Sequence, residues 1–167
     1  MAEIGWKNRL SSRDQLPQRF EPDYTHQILT ERIIGACYRV YAELGYGFLE
    51  SVYENAVALV LSREGILTER QMPVAVWFQD QQVGRFRVDL LVERRVILEL
   101  KAVRAIEAAH EAQLLNVLRA TSIEIGLLFN FGPRPQLKRM AFSNTRKNLC
   151  VHLRSSAAES HQSEEPS

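Results

Sequence analysis

One stretch constrains the fold more than any other: Arg85 to Lys101, which reads RFRVDLLVERRVILELK. Two runs with strand character, FRVDLLV and VILELK, are joined by Glu93, Arg94 and Arg95, a charged triplet suited to a turn. In the first run Phe86, Val88, Leu90 and Val92 alternate and so share one face of a strand, while Asp89 points the other way beside Arg87 and Leu91. In the second, Val96, Leu98 and Leu100 take the buried face, and Ile97, Glu99 and Lys101 the other. Antiparallel pairing then brings Asp89, Glu99 and Lys101 to one side of the sheet. Two carboxylates and an ammonium in so apolar a hairpin are costly to desolvate unless they pair or bind something. That cost makes the trio a site candidate.

The rest of the chain is a scaffold of ordinary composition. Its 167 residues suit one domain with a real core, and 46% hydrophobic with 25% charged residues is typical of a globular protein. Cys37 and Cys150 are far apart with no metal-ligand spacing, so a disulfide framework is not expected and a reducing cytoplasm is the default. No run approaches a membrane span, and MAEIGWKNRL lacks a signal-peptide core.

Residues 1–22 show no helical or strand period and are expected to form a flexible arm; the small, polar, acidic residues 154–167 are expected to form a disordered tail. Between them, residues 23–153 make up the expected domain. Asp23 or Thr25 can cap a helix from about His26 to Leu44, with an apolar stripe of Leu29, Ile33, Cys37, Val40 and Leu44. Gly45 and Gly47 flank a turn into a second helix, which Gly65 closes; Val52, Ala56, Leu59 and Val60 supply its expected core stripe. Glu50 and Glu54, four apart, stack on one face of that helix. Residues 68–78 form the next strand, with Pro73 marking an edge or bulge, and the loop QDQQ leads into the Phe86 strand. A third helix follows in EAAHEAQLLNVLRATS, with Ile106, Ala109, Leu114, Val117 and Leu118 buried. Residues 123–131, almost continuously apolar, suit a central strand covered on both faces, and LKRMAFS a last strand. The order ααβββαββ gives an α+β arrangement, a mixed sheet flanked by helices.

Asp89, nine residues, then Glu99-Leu100-Lys101 on adjacent strands of such an arrangement resembles the PD-(D/E)XK nuclease superfamily, with its restriction-endonuclease-like core. Gly47-Phe48-Leu49-Glu50-Ser51-Val52-Tyr53 resembles the GxxExxY motif of a small bacterial and archaeal branch of that superfamily. The likeness covers roughly residues 26–143. It implies phosphodiester hydrolysis of nucleic acid, DNA in the first instance, with Mg²⁺ or Mn²⁺ held by Asp89, Glu99 and the Leu100 carbonyl. Lys101 would orient the attacking water or stabilise transition-state charge. The resemblance also implies an acidic residue reaching the metal from the preceding helix, and sequence does not separate Glu50 from Glu54. Gln113 matches a glutamine of the family's helix after the ExK strand, but the accompanying tyrosine position is Val117 here.

Nucleic-acid contacts are expected from Arg87, from His110, and from Lys138 and Arg139 in the acid-free basic segment Gly132 to Arg154. Cutting both strands of a duplex would call for two sites, hence a homodimer. Two rivals stand beside the nuclease: a nucleic-acid-binding module that keeps the fold with little chemistry, and an interaction component of a larger system.

Overall fold

The computed structural model describes residues 24–146. The expected arm, acidic tail and Asp23 cap, with Lys147 and Arg154 of the basic segment, lie outside those residues. The elements run α1 (Tyr24–Leu44), α2 (Glu50–Arg63), β1 (Thr68–Phe78), β2 (Gln81–Val92), β3 (Val96–Lys101), α3 (Ala108–Ala120), β4 (Ile125–Asn130) and β5 (Gln136–Ala141), then one 3₁₀ turn at Asn144–Arg146. This is the order expected from sequence.

The five strands lie side by side in chain order, so the topology is a meander interrupted once. β1–β2, β2–β3 and β4–β5 are antiparallel; β3 and β4 are parallel, as a crossover through α3 requires. α1 and α2 cover one face, where Leu29, Ile33, Cys37, Tyr53 and Val57 pack on Leu90, Leu98, Leu100, Leu127 and Phe129. α3 covers the other, packing Leu114, Val117 and Leu118 against Val74, Val88, Leu91, Ile97 and Leu128. Both faces of β3 and β4 are therefore buried, which accounts for the apolar run of Ile125–Phe129 and of Val96–Leu98.

Several residues depart from the expected stripes. Leu44, Val52 and Leu59 are exposed, and α2 instead buries Tyr53, Glu54, Val57 and Leu61. The inward face of α2 is set by Tyr53, which stacks on Phe131 with ring centroids 4.1 Å apart. Ala109, in the first turn of α3, is also exposed. The alternation expected along β2 breaks between Val88, which packs under α3, and Leu90, which packs under α1 and α2. The break falls at Asp89, opposite Gln71, whose φ of 52° is left-handed. The β1–β2 turn is tighter than expected, with Gln79 and Asp80 both at positive φ, the pattern of a two-residue hairpin.

Candidate active site

β2 and β3 pair only at Leu90–Leu98, Leu91–Ile97 and Val92–Val96. Past Leu90 the two strands part, and Asp89 stands at the fork. Its Oδ2 accepts a hydrogen bond from the Leu100 amide at 2.8 Å, satisfying a donor that the ladder no longer reaches. Glu99 is only 1% exposed, and Lys101 follows on the same side of β3 with its side chain 13% exposed. The structure thus brings together the three residues expected to converge, at the end of the sheet where β3 terminates.

The electrostatics follow from this burial. Desolvation, then the neighbouring Asp89 charge, push the Glu99 carboxyl up to about 8, against the opposing pull of Lys101. Asp89 is raised too, by burial first, with the Leu100 amide and Lys101 working the other way. The pair therefore retains a proton at neutral pH. Glu99 Oε1 is buried without a hydrogen-bond partner, an expensive arrangement for a carboxylate oxygen.

The two glutamates of α2 take different places. Glu50, at the first turn, lies over the end of β3: its Oε2 is 3.8 Å from Lys101 Nζ, and its Oε1 accepts from the Ala102 amide at 3.4 Å. Glu54, one turn deeper and 5% exposed, accepts from Arg70 Nε at 2.8 Å and from Gln71 Nε2. Gln71 Nε2 also lies 3.5 Å from Asp89 Oδ1, so it links the helix to the fork. The charges of both glutamates raise Asp89, that of Glu54 more than that of Glu50.

Local sequence explains why Glu50 is presented there. Gly45 and Gly47 have φ of 70° and 108°, which side chains other than glycine rarely tolerate. Tyr53 Oη donates to the Gly45 carbonyl at 2.9 Å and accepts from the Phe48 amide at 3.2 Å, clamping the loop from below. The glycine, glutamate and tyrosine of that seven-residue stretch thus form one unit: a turn, a projecting carboxylate and a brace.

Sequence reasoning missed Gln71, Arg70 and Asn130. Gln71 emerges only with the observed register, in which Arg70–Leu90 and Met72–Val88 pairing puts it across from Asp89. Asn130, fully buried and opposite Lys101 on β4, accepts from the Val103 amide at 3.0 Å and donates to the Val103 carbonyl at 2.9 Å. It pins the chain immediately after Lys101. Gly132 completes that support, because a Cβ there would meet the Val103 carbonyl oxygen at 2.1 Å.

Among the described residues, the other expected side chains make no hydrogen bond or ion pair with Asp89, Glu99 or Lys101. His110 sits at the third position of α3, where Nδ1 accepts from the Glu107 amide at 3.1 Å in a capping box. Gln113 is partly buried on α3 and, among the described residues, makes no hydrogen bond with Asp89, Glu99 or Lys101; Val117 is wholly buried beneath it. Lys138 and Arg139 are exposed on β5, with Lys138 Nζ 3.3 Å from Glu111 Oε1. Arg87 is exposed on β2, two residues before Asp89.

No group of three or more His, Cys, Asp or Glu side chains among the described residues has metal-holding geometry. The donor chemistry nonetheless fits a hard divalent cation: two carboxylates at the fork, one with a buried, unpartnered oxygen and a pKa raised by burial and by the other's charge.

A mixed sheet whose strands fork around a carboxylate pair and a lysine, with helices on both faces, defines a core of the restriction-endonuclease class. The chain belongs to the PD-(D/E)XK nuclease superfamily, whose sequence profile matches residues 27–140. Among solved structures, the crystal structure of SSO0001 is similar at 16% identity and a TM-score of 0.47, covering 71% of this chain and 62% of that one. No curated protein matches the sequence.

Proposed function

We propose that this protein is a divalent-metal-dependent nuclease hydrolysing phosphodiester bonds, with DNA as the first substrate to test. The observation that carries this reading is the buried, unpartnered Glu99 Oε1 beside Asp89 and Lys101 at the strand fork. Asp89 and Glu99, with the Leu100 carbonyl, would hold Mg²⁺ or Mn²⁺, and Glu50 or Glu54 would add a further oxygen. When bound, the cation supplies charge neutralisation for the phosphoryl group and acidifies a water. Lys101, mostly buried, keeps its ammonium at the fork and stabilises charge that develops on the phosphoryl oxygens. Glu50 holds Lys101 in place, and Gln71 orients Asp89 through its amide. Gly47, Glu50 and Tyr53 favour the GxxExxY branch of the superfamily, and residues 23–153 are the proposed extent of the domain. A cytoplasmic setting and a homodimer that cuts both strands complete the proposal; no helix among the described residues is long and apolar enough to cross a membrane.

A specific observation keeps a second reading in view. Among the described residues no three side-chain donors have metal-holding geometry, which suits a fork that serves binding alone, in a module with little chemistry. Incubating wild type and Asp89→Asn with labelled linear, single-stranded and four-way-junction DNA and Mg²⁺ or Mn²⁺ separates the two. Chelator-sensitive cleavage by wild type, absent in the variant, supports the nuclease. DNA binding without cleavage of any substrate supports the module.

A further inference from the structure

β1 and β2 run well beyond the short strand β3. Residues 72–78 and 81–88 pair with each other, while β3 pairs with β2 only from Leu90 onward. The outer part of this hairpin is therefore a two-stranded arm that projects past the end of the sheet at which β3 terminates in Lys101. One side of it is accounted for by packing: Met72, Val74, Phe86 and Val88 lie against the α3 core. The opposite side is not. There Arg85 and Arg87 are exposed, each facing a small or compact cross-strand partner, Ala75 and Pro73, that leaves its guanidinium uncovered. Neither arginine has an acidic partner among the described residues. They are two residues apart in a strand, about 6.6 Å along its axis, and the same strand continues two residues further to Asp89.

The tip has its own signature. Trp77 and Phe78 are 36% and 63% exposed, a cost that folding alone does not repay. β2 carries one residue more than β1 at this point, Val83, a bulge that bends β2 and sharpens the twist of the tip; along β1, Trp77 alternates onto the face of Pro73 and Ala75, and Phe78 onto the other. Aromatics at the end of a basic ladder that leads into a phosphodiester-cutting site suit one occupant: the π-faces and phosphates of an unpaired strand.

We infer that the β1–β2 arm is a binding track for single-stranded polynucleotide, in which Arg87 and Arg85 engage successive phosphates leading away from Asp89, and Trp77 and Phe78 stack on unpaired bases beyond them. The inference rests on the nuclease reading for its direction and deepens it by naming the substrate class. In a duplex the bases are stacked on one another, so the tip contacts would be lost and only the arginine contacts would remain.

Binding in the absence of metal keeps the two readings distinguishable. The full-length protein would be titrated with EDTA into fluorescein-labelled dT20 and into a 20-base-pair duplex, followed by anisotropy across monovalent salt. Removing two phosphate contacts in R85A/R87A is expected to shallow the log–log salt slope on dT20 by about 1.4. That corresponds to about 25-fold weaker binding at 0.1 M salt, converging on wild type near 1 M. W77A/F78A is expected to weaken dT20 at least fivefold with the slope kept, and to leave the duplex unchanged. Arg95→Ala, in the β2–β3 turn at the far end of the sheet, should match wild type on both probes. All these side chains are exposed, so folding is not at stake, and circular dichroism would check it. Unchanged dT20 binding in both double variants, equal losses on duplex and single strand in W77A/F78A, or an effect confined to oligomeric state by sedimentation would each overturn the inference. If the arm effects appear while wild type cuts no DNA with metal, the track stands and the nuclease reading falls.

Discussion

The Glu99 carboxyl makes an unusual demand on stability in the metal-free protein. Its ordinary value of 4.5 is raised to about 8 on folding, so the folded state favours the protonated form. A group raised on folding stabilises fully below its unfolded pKa, and that stabilisation is lost as pH climbs through the folded one. Metal-free protein should therefore weaken between about pH 4.5 and pH 8, by up to about 1.4 kcal/mol per pH unit. From pH 5 to pH 7 the Glu99 contribution alone amounts to roughly 2–3 kcal/mol, a large share of a typical domain's margin. Asp89, also raised, acts in the same direction. Urea unfolding of wild type and Glu99→Gln in EDTA, at half-unit steps from pH 5 to pH 8, reads this directly. Glu99→Gln should flatten most of the slope and be the more stable protein at pH 8. Adding Mg²⁺ should restore wild type at pH 8 and do little for the variant. Parallel pH profiles for the two proteins would refute the argument that Glu99 is buried without adequate compensation.

Tyr53→Phe removes the hydroxyl that bridges Gly45 and Phe48; it should cost about 1–2 kcal/mol in urea unfolding and lower activity through a looser Glu50. Gly132→Ala forces a methyl against the Val103 carbonyl, so the thermal midpoint should fall by several degrees or the protein should fail to fold, as calorimetry would record. Arg70→Ala leaves Glu54 buried with Gln71 as its remaining hydrogen-bond donor; a loss of about 1–3 kcal/mol is expected, and Arg70→Ala/Glu54→Gln should recover part of it.

The parts of this molecule that were legible in its sequence are those governed by local period. Alternation at Phe86–Val92 and Val96–Lys101 marked the hairpin, and glycines at 45, 47 and 65 marked the ends of the helices. The almost continuously apolar run at residues 123–131 announced a strand covered on both faces, which the structure places at Ile125–Asn130. The inward face of α2 was not legible, because Glu54 is buried by partners from a strand more than a dozen residues on, and a buried glutamate looks like an exposed one until Arg70 and Gln71 are placed against it. His110 shows another limit: its place one turn before Gln113 pointed to a nucleic-acid contact, and spacing gave no sign that its Nδ1 closes a capping box with Glu107. The break in alternation at Asp89 was hidden for a related reason. A strand that changes face mid-course keeps a regular sequence, and only the cross-strand pairing of Met72 with Val88 and Arg70 with Leu90 reveals it. Asn130 and Gly132 carried no signal by spacing, since their role depends on the path of residues 102–103 after Lys101.

The most direct test of the central claim compares wild type with Lys101→Met, a swap that keeps a long unbranched side chain and removes its charge. Calorimetry with Mn²⁺ and cleavage of linear, single-stranded and four-way-junction DNA would be measured on the same preparations. The account predicts that both proteins bind Mn²⁺ and only wild type cuts, because Asp89 and Glu99 would hold the cation while Lys101 serves the reaction. Cleavage retained by Lys101→Met, or Mn²⁺ binding by neither protein, would contradict it.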